Sequence, residues 1–160
     1  MVYSLSSFAD NAHFIDFKEV LNTSKSGAEA QKKLKLEFEA ASKKFNKIEK
    51  DIRSKESEII SQKKTLAPED YKKKVQALRK EVADSQKNKQ TTFNSIAKSR
   101  NDAKKALLKA LTPILKKYME ENKIRIVINK QMVVLGDKEL EITNQIIAIL
   151  NKELPSLKVN

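Results

Sequence analysis

The sequence contains no cysteine, only 2 glycines and 3 prolines in 160 residues, and a single histidine, His13. Without cysteine, the chain has no disulfide bond, no thiolate nucleophile and no Cys-based metal site. Aromatic residues make up only 6% of the chain, whereas 34% of the residues are charged. This composition, rich in Lys, Glu, Ala and Leu, is typical of long exposed helices rather than of a compact globule. The length indicates one domain.

The motifs of common enzyme classes are also missing. The sequence has no glycine-rich phosphate loop and no Cys/His/carboxylate cluster, and one histidine on a predicted strand cannot complete a Ser-His-Asp set. We therefore predict that the protein is not an enzyme and that it has no catalytic residues, metal ligands or cofactor.

Two long runs of apolar residues fill the middle of the chain, each with alternating spacings of four and three residues. A repeat that averages 3.5 residues keeps one seam of a helix facing a partner helix. Lys55 and Gln62 fill slots that the pattern misses in the first run, and Ser85, Lys89 and Thr92 are polar members of the second. The predicted apolar seam residues are Phe38, Phe45, Ile48, Ile52, Val75, Leu78 and Val82.

The two runs form a helical hairpin with arms at about 28–64 and 68–121, roughly 55 Å and 80 Å long. Pro68 suits the first position of the second helix, and the Glu69-Asp70 pair suits its N-terminus. The alternative, one continuous rod that pairs with another chain, is disfavoured by Pro68. Pro113 lies inside the second arm, and we expect a kink or a local break of the hydrogen-bond ladder there.

All of the surplus charge lies on the hairpin. Residues 25–120 contain 26 Lys and Arg against 13 Asp and Glu, a net charge of +13. The whole chain has a formal charge of +12, so the remaining residues contribute −1. Such a cationic rod attracts nucleic acid, acidic membrane surfaces or acidic polypeptides. The alternative is that these charges form only a solvated face, which keeps the protein in solution.

Short elements lie on either side of the arms. Residues 13–17 and 124–129 are strand candidates, with 132–135 pairing with the latter as a β-hairpin, and 140–154 is a short amphipathic helix. Three short strands cannot form a stable sheet alone, so we expect several chains to pool them into one closed body. The residues predicted for this oligomerisation are Phe14, Ile15, Ile124, Ile126, Ile128, Val133 and Leu135.

The predicted organisation therefore has three parts. Residues 12–24 and 123–160 form a discontinuous β-body, and 25–122 form the hairpin. In residues 1–11, Ser7-Phe8-Ala9 resembles the end of a signal-peptide cleavage site, but the usual basic start and most of the apolar segment are missing. This stretch is either the tail of a signal whose start lies upstream, which we favour, or an irregular N-terminus.

This layout resembles the Skp/OmpH family of periplasmic chaperones over about residues 14–150. The resemblance is carried by Phe14-Ile15-Asp16-Phe17, by the Lys-rich heptads with a proline turn, and most of all by 124–129, 133–135 and 141–147. It implies a mostly helical α+β fold and a homotrimer, with a small β-barrel body and three helical tentacles around a cavity. It also implies a periplasmic, ATP-independent holdase for unfolded outer-membrane β-barrel proteins, with no catalytic residues to carry over.

Under this hypothesis, apolar residues off the seam are the better candidates for contact with an unfolded protein. They are Leu36, Ile60, Leu66, Ala77 and Phe93. Salt-dependent contact with anionic lipid or lipopolysaccharide is compatible with the charge. The alternative is a basic coiled coil that binds nucleic acid, but no specific nucleic-acid binding is expected, because a concentrated basic region and interleaved aromatics are missing. A purely structural spacer would leave the strand module unexplained.

Overall fold

The computed structural model of the chain describes residues 12–157. The predicted signal-peptide remnant, residues 1–11, lies outside the described residues. The elements, in chain order, are β1 (His13–Ile15), α1 (Phe17–Thr23), α2 (Lys25–Ser61), α3 (Pro68–Glu121), β2 (Val127–Asn129) and α4 (Thr143–Glu153), with 3₁₀ turns at Gln62–Lys64, Lys130–Met132 and Lys138–Leu140.

The mostly helical architecture with two long helices is confirmed, and α3 has the predicted bounds. The chain divides into two compact units. Lys33–Arg100 forms one, which we call the hairpin unit. The described residues before and after it, 12–32 and 101–157, form the other, which we call the base unit.

In the hairpin unit, α2 and α3 pack antiparallel. Phe38 contacts Phe93 with ring centroids 5.3 Å apart, and further along α2 the Lys55 ammonium lies 2.6 Å from the Glu81 carboxylate. The turn between the helices is closed by the carbonyl oxygen of Gln62, which accepts hydrogen bonds from the backbone N–H groups of Thr65 and Leu66. Pro68 then begins α3, where its missing N–H costs nothing.

The base unit has a core built from every one of its larger elements. Leu107, Leu111 and Ile114 come from one face of α3, at the spacings of three and four residues that align side chains along a helix. The remaining buried members come from β1, α1, α4 and the connecting segments: Ile15, Val20, Ile124, Ile142, Ile146 and Leu150. Full burial of such side chains stabilises the unit by about 1.5–3 kcal/mol each.

The sheet of the base unit differs from the predicted β-hairpin. β1 and β2 pair in parallel, with Phe14 opposite Ile128, and Glu141 forms a single bridge with Phe14. Residues 133–135 are not a strand. The prediction was wrong because the chain turns after β2 instead of returning antiparallel: the Asn129 side chain accepts from the N–H of Gln131, and the carbonyl of Lys130 accepts from the N–H of Val133.

Pro113 does not interrupt α3, which is helical throughout Pro68–Glu121. Proline cannot donate a hydrogen bond to the carbonyl of Lys109, so one rung of the ladder is missing. Both residues are exposed to solvent, so water can satisfy that carbonyl and the ring does not have to enter the core. The break in the ladder is therefore limited to this one hydrogen bond, and the helix continues through it.

The end of α3 has an unusual cap. Lys123 adopts φ 55°, the left-handed conformation that glycine tolerates best, and the N–H of Ile124 donates to the carbonyl of Met119 at 2.9 Å. This is the hydrogen bond of a Schellman motif, which reverses the chain and brings buried Ile124 back to the core.

We predict that Lys123→Gly stabilises the protein. A left-handed residue with a side chain costs about 1–2 kcal/mol, of which the extra backbone entropy of glycine cancels about half, so the net gain is about 0.5–1 kcal/mol. Urea denaturation measures it, with Lys116→Gly, on an exposed position within α3, as the control that should destabilise. A lower unfolding midpoint for Lys123→Gly would contradict the cap.

Candidate functional site

The part of the chain that the structure describes forms no metal centre. Within 12–157, no group of three or more His, Asp or Glu side chains is placed to hold a metal ion. In the same range, no helix is long and apolar enough to cross a membrane. The candidate functional surfaces are the exposed apolar and charged side chains of each unit.

Two of the predicted contact residues are large apolar side chains in solvent. Leu36 is 57% exposed and Ile60 is 61% exposed, both on α2. Ala77 on α3 is exposed as well, whereas Leu66, at the turn of the hairpin, is half-buried. The heptad places Leu36 and Ile60 away from the seam, so neither contributes to packing between the arms.

The sequence analysis placed Phe93 off the seam, but in the structure its ring packs against rings of the other arm. Its ring lies 5.3 Å from that of Phe38 and 6.0 Å from that of Phe45. It occupies the position next to seam residue Thr92, and a phenyl ring is long enough to reach across from there. This cluster of three rings, which we call the aromatic cluster, fixes the arms together.

The predicted seam residues vary widely in burial. Phe45 is buried, but Phe38, although it contacts Phe93, is 52% exposed. The other five are half-buried, because two helices alone cannot enclose the side chains between them: Ile48, Ile52, Val75, Leu78 and Val82. These residues hold the arms together and are also within reach of solvent.

The polar residues that interrupt the first heptad run make contacts between the arms. Lys55 donates to both carboxylate oxygens of Glu81, at 2.6 and 2.8 Å. Gln62, in the 3₁₀ turn after α2, accepts from Lys74 at 2.6 Å and donates to Glu58 near the end of α2. The heptad spacing alone did not predict that these residues link the arms. A cation and an anion at facing heptad positions, such as Lys55 and Glu81, could have indicated it.

The hairpin unit is strongly cationic. Lys33–Arg100 contains 19 Lys and Arg against 10 Asp and Glu, a net charge of +9. Its ion pairs, such as Arg53 with Glu49, are exposed and contribute little to stability. The charge thus acts mainly as a long-range field around the unit.

The base unit exposes a separate apolar surface, which we call the loop surface. It consists of Met132, which is 77% exposed, Leu135, which is 94% exposed, and Val134 next to Leu135, which is fully exposed. Ile126, which precedes β2, is exposed as well. The predicted oligomerisation residues Ile128 and Val133 are half-buried. The other three, Phe14, Ile15 and Ile124, are buried in the chain's own unit.

An ion pair anchors the two ends of the segment that carries the loop surface. The Lys130 ammonium donates to the Glu141 carboxylate at 2.7 Å, and the Thr143 hydroxyl donates to the same oxygen at 3.0 Å. Thr143 also accepts from the backbone N–H of Asp16. The hydrogen bond from Lys130 holds the pKa of Glu141 below its ordinary value and, reciprocally, raises the pKa of Lys130. Gly136 lies between these ends against the Phe14 ring, where a Cβ would lie 2.9 Å from a ring carbon.

The fold defines a class of proteins in which a long helical hairpin is inserted between two paired strands of a small unit. The model of the OmpH-like outer membrane protein family matches residues 12–150, and the chain belongs to this family. The expected resemblance is thereby confirmed.

A solved structure has the same fold. It is a crystal structure of an OmpH-like protein from Caulobacter crescentus CB15, for which a role as an outer membrane chaperone has been suggested. The TM-score is 0.83 with 14% sequence identity, and the match covers 92% of this chain and 87% of that chain. No curated protein matches the sequence significantly.

The anchoring ion pair predicts a pH dependence. Because the pKa of Glu141 is lowered on folding, its carboxylate stabilises the protein above its unfolded pKa, and that contribution is lost as the pH falls through the folded pKa. The contribution of Lys130, whose pKa is raised, is lost only at alkaline pH. We expect Glu141→Gln to lower the urea midpoint at neutral pH and to converge with the wild type in acid.

Urea titrations from about pH 7 to about pH 3 test this expectation. Glu139→Gln, on an exposed carboxylate in the preceding 3₁₀ turn, is the control and should follow the wild type throughout. The urea midpoints of Glu141→Gln and the wild type should approach each other as the pH falls. If their difference stays constant down to the lowest pH, the charge of Glu141 is not its cause.

Proposed function

We propose that the protein is an ATP-independent periplasmic holdase that binds unfolded outer-membrane β-barrel proteins and prevents their aggregation. The observation that carries the proposal is the presence of large apolar side chains in solvent on a strongly cationic hairpin, in a chain of the OmpH-like family. A purely structural rod does not require exposed Leu36 and Ile60, since they add nothing to its seam.

Charge and apolar surface have different roles in this mechanism. The net charge of +9 on the hairpin unit attracts acidic unfolded chains over about a Debye length, roughly 8–10 Å at physiological salt. Exposed side chains such as Leu36 and Ile60 then contact the apolar residues of the unfolded protein. Each contact is weak, so the complex is held by many contacts at once and releases without nucleotide hydrolysis.

Assembly into a homotrimer would place several hairpins around one bound protein. The loop surface supports this part of the proposal, because Met132, Val134 and Leu135 are apolar, adjacent and exposed in the single chain. Among the described residues, β2 also has no strand paired on the side away from β1, so another chain can pair at that edge of the sheet. We propose that the loop surface is buried between subunits.

The same cationic surface is suited to anionic membranes. Lysines scattered along a helix attract anionic lipid or lipopolysaccharide head groups without forming a specific pocket. This interaction would be salt-dependent and secondary to holding unfolded protein.

The holdase activity is tested by diluting a urea-unfolded outer-membrane barrel protein into nucleotide-free buffer and following light scattering. We expect suppression of aggregation at about one oligomer per unfolded protein. Leu36→Gln with Ile60→Gln should weaken binding about fivefold for each side chain, since each loses about 1 kcal/mol of apolar contact. Glutamine retains helix propensity, so circular dichroism should be unchanged.

Ser57→Gln, on an exposed α2 residue one turn before Ile60, is the matched control and should bind like the wild type. Unsuppressed aggregation by the wild type, together with tight salt-sensitive DNA binding in a parallel titration, would overturn the holdase in favour of a nucleic-acid-binding coiled coil. Suppression that is unchanged in the double variant would remove Leu36 and Ile60 from the binding surface.

The assembly is tested separately by native mass. Val134→Asp with Leu135→Asp should shift the mass from a trimer to a monomer, because it would place two carboxylates in an apolar interface. Both side chains are exposed in the single chain, so the monomer should keep its fold. The Leu36→Gln/Ile60→Gln variant is the control and should remain trimeric. A trimeric mass for the double Asp variant would exclude the loop surface as the interface.

A further inference from the structure

A cleft opens between the arms of the hairpin unit, next to the aromatic cluster. It has a volume of about 250 Å³. Apolar side chains come from both helices, and the remaining lining residues are polar: Phe45, Glu49, Ile52, Val82, Ser85, Gln86 and Lys89. A cavity of about 150 Å³ with an apolar lining is known to accept a benzene ring, so this cleft has room for an aromatic side chain.

The cleft exists because the seam of α3 is polar at this level. Ser85 and Lys89 occupy successive seam positions where a coiled coil ordinarily has large apolar residues. The small Ser85 side chain cannot fill the space beside Phe45 and Ile52. A leucine at the same position would fill it, so the gap is a consequence of the sequence and not of the hairpin geometry.

The polar rim of the cleft has unused hydrogen-bonding capacity. Within residues 12–157, the side chains of Ser85, Gln86 and Lys89 form no hydrogen bond or ion pair. Glu49, the acidic residue of the lining, is instead paired with Arg53 at 2.7 Å. The rim therefore offers a hydroxyl, an amide and an unpaired ammonium beside an apolar floor.

We propose that this cleft is a binding site for an extended segment of unfolded polypeptide, which inserts one large apolar side chain between the arms. A neighbouring acidic residue of the segment pairs with Lys89, and its backbone carbonyls accept from Gln86 and Ser85. This site rests on the proposed holdase function and deepens it, because it adds a seam site to the exposed side chains off the seam.

The chemistry of the cleft favours this occupant. Phe45, Ile52 and Val82 favour an apolar group, and the positive charge of Lys89, within a unit of net charge +9, favours an anionic one beside it. An acidic unfolded chain with apolar residues supplies both on adjacent positions of one extended strand, where successive side chains point to opposite faces and the backbone stays accessible.

The experiment fills the cleft without weakening the hairpin. Ser85→Leu places leucine at a seam position, so it should raise the thermal unfolding temperature while it removes the space for the inserted side chain. We expect the Kd for a fluorescently labelled, urea-unfolded barrel protein, measured by anisotropy after dilution, to rise roughly tenfold, as the loss of one buried apolar side chain implies.

Thr92→Leu is the matched control, since it makes the same kind of change at another polar seam position that does not line the cleft. It should stabilise the hairpin and bind like the wild type. Lys89→Glu should weaken binding at low salt and approach the wild type at high salt.

The outcomes separate this site from the holdase function itself. If the wild type binds the unfolded protein and Ser85→Leu binds it with the same affinity, the cleft is not a binding site, and the proposed function stands. Equal weakening by Ser85→Leu and Thr92→Leu would also overturn it, because stiffening of the arms would then be the cause. Absence of binding by the wild type would overturn the proposed function first.

Discussion

The parallel pairing of β1 with β2 is the constraint on which the rest of the fold depends. β1 precedes both long helices and β2 follows them, so the sheet forms only when α2 and α3 run antiparallel and return the chain to its beginning. Closing so long a loop costs conformational entropy, although this cost grows only slowly with length. The buried core around Ile15, Leu111 and Ile146 offsets it, and the cap at Lys123 directs the chain back toward that core.

In the hairpin unit, the seam that holds the arms together also contains the proposed binding cleft. A fully apolar seam would hold the arms more tightly, but this seam has Lys55, Ser85 and Lys89 in place of apolar residues. Lys55 retains the register through its ion pair with Glu81, which specifies facing positions and adds little energy at an exposed site. Ser85 and Lys89 leave a cleft instead. The same sequence choices that lower the packing density leave the space and the charge that the proposed binding of an unfolded polypeptide requires.

Much of the secondary structure was predictable because heptads and turn residues are local signals. The bounds of α3 and the antiparallel pairing followed from the 3.5-residue repeat and from Pro68. The path of the chain after β2 could not be predicted in this way. Residues 133–135 have the β-branched composition of a strand, but the Asn129 cap and the turn at Lys130 direct the chain away from the sheet. The role of Phe93 was missed for a related reason: a seam of two positions per heptad ignores how far a phenyl ring reaches.

The sequence by itself determined the long helices, their antiparallel order, the excess of positive charge and the family, because each depends on residue type and spacing along the chain. Only the tertiary structure decided which apolar residues remain exposed. Phe14, Ile15 and Ile124 are buried, whereas Ile126, Val134 and Leu135 are in solvent, although all six look equally suited to a core. Burial depends on which residues distant in sequence come to lie opposite one another, and spacing along the chain does not contain that information.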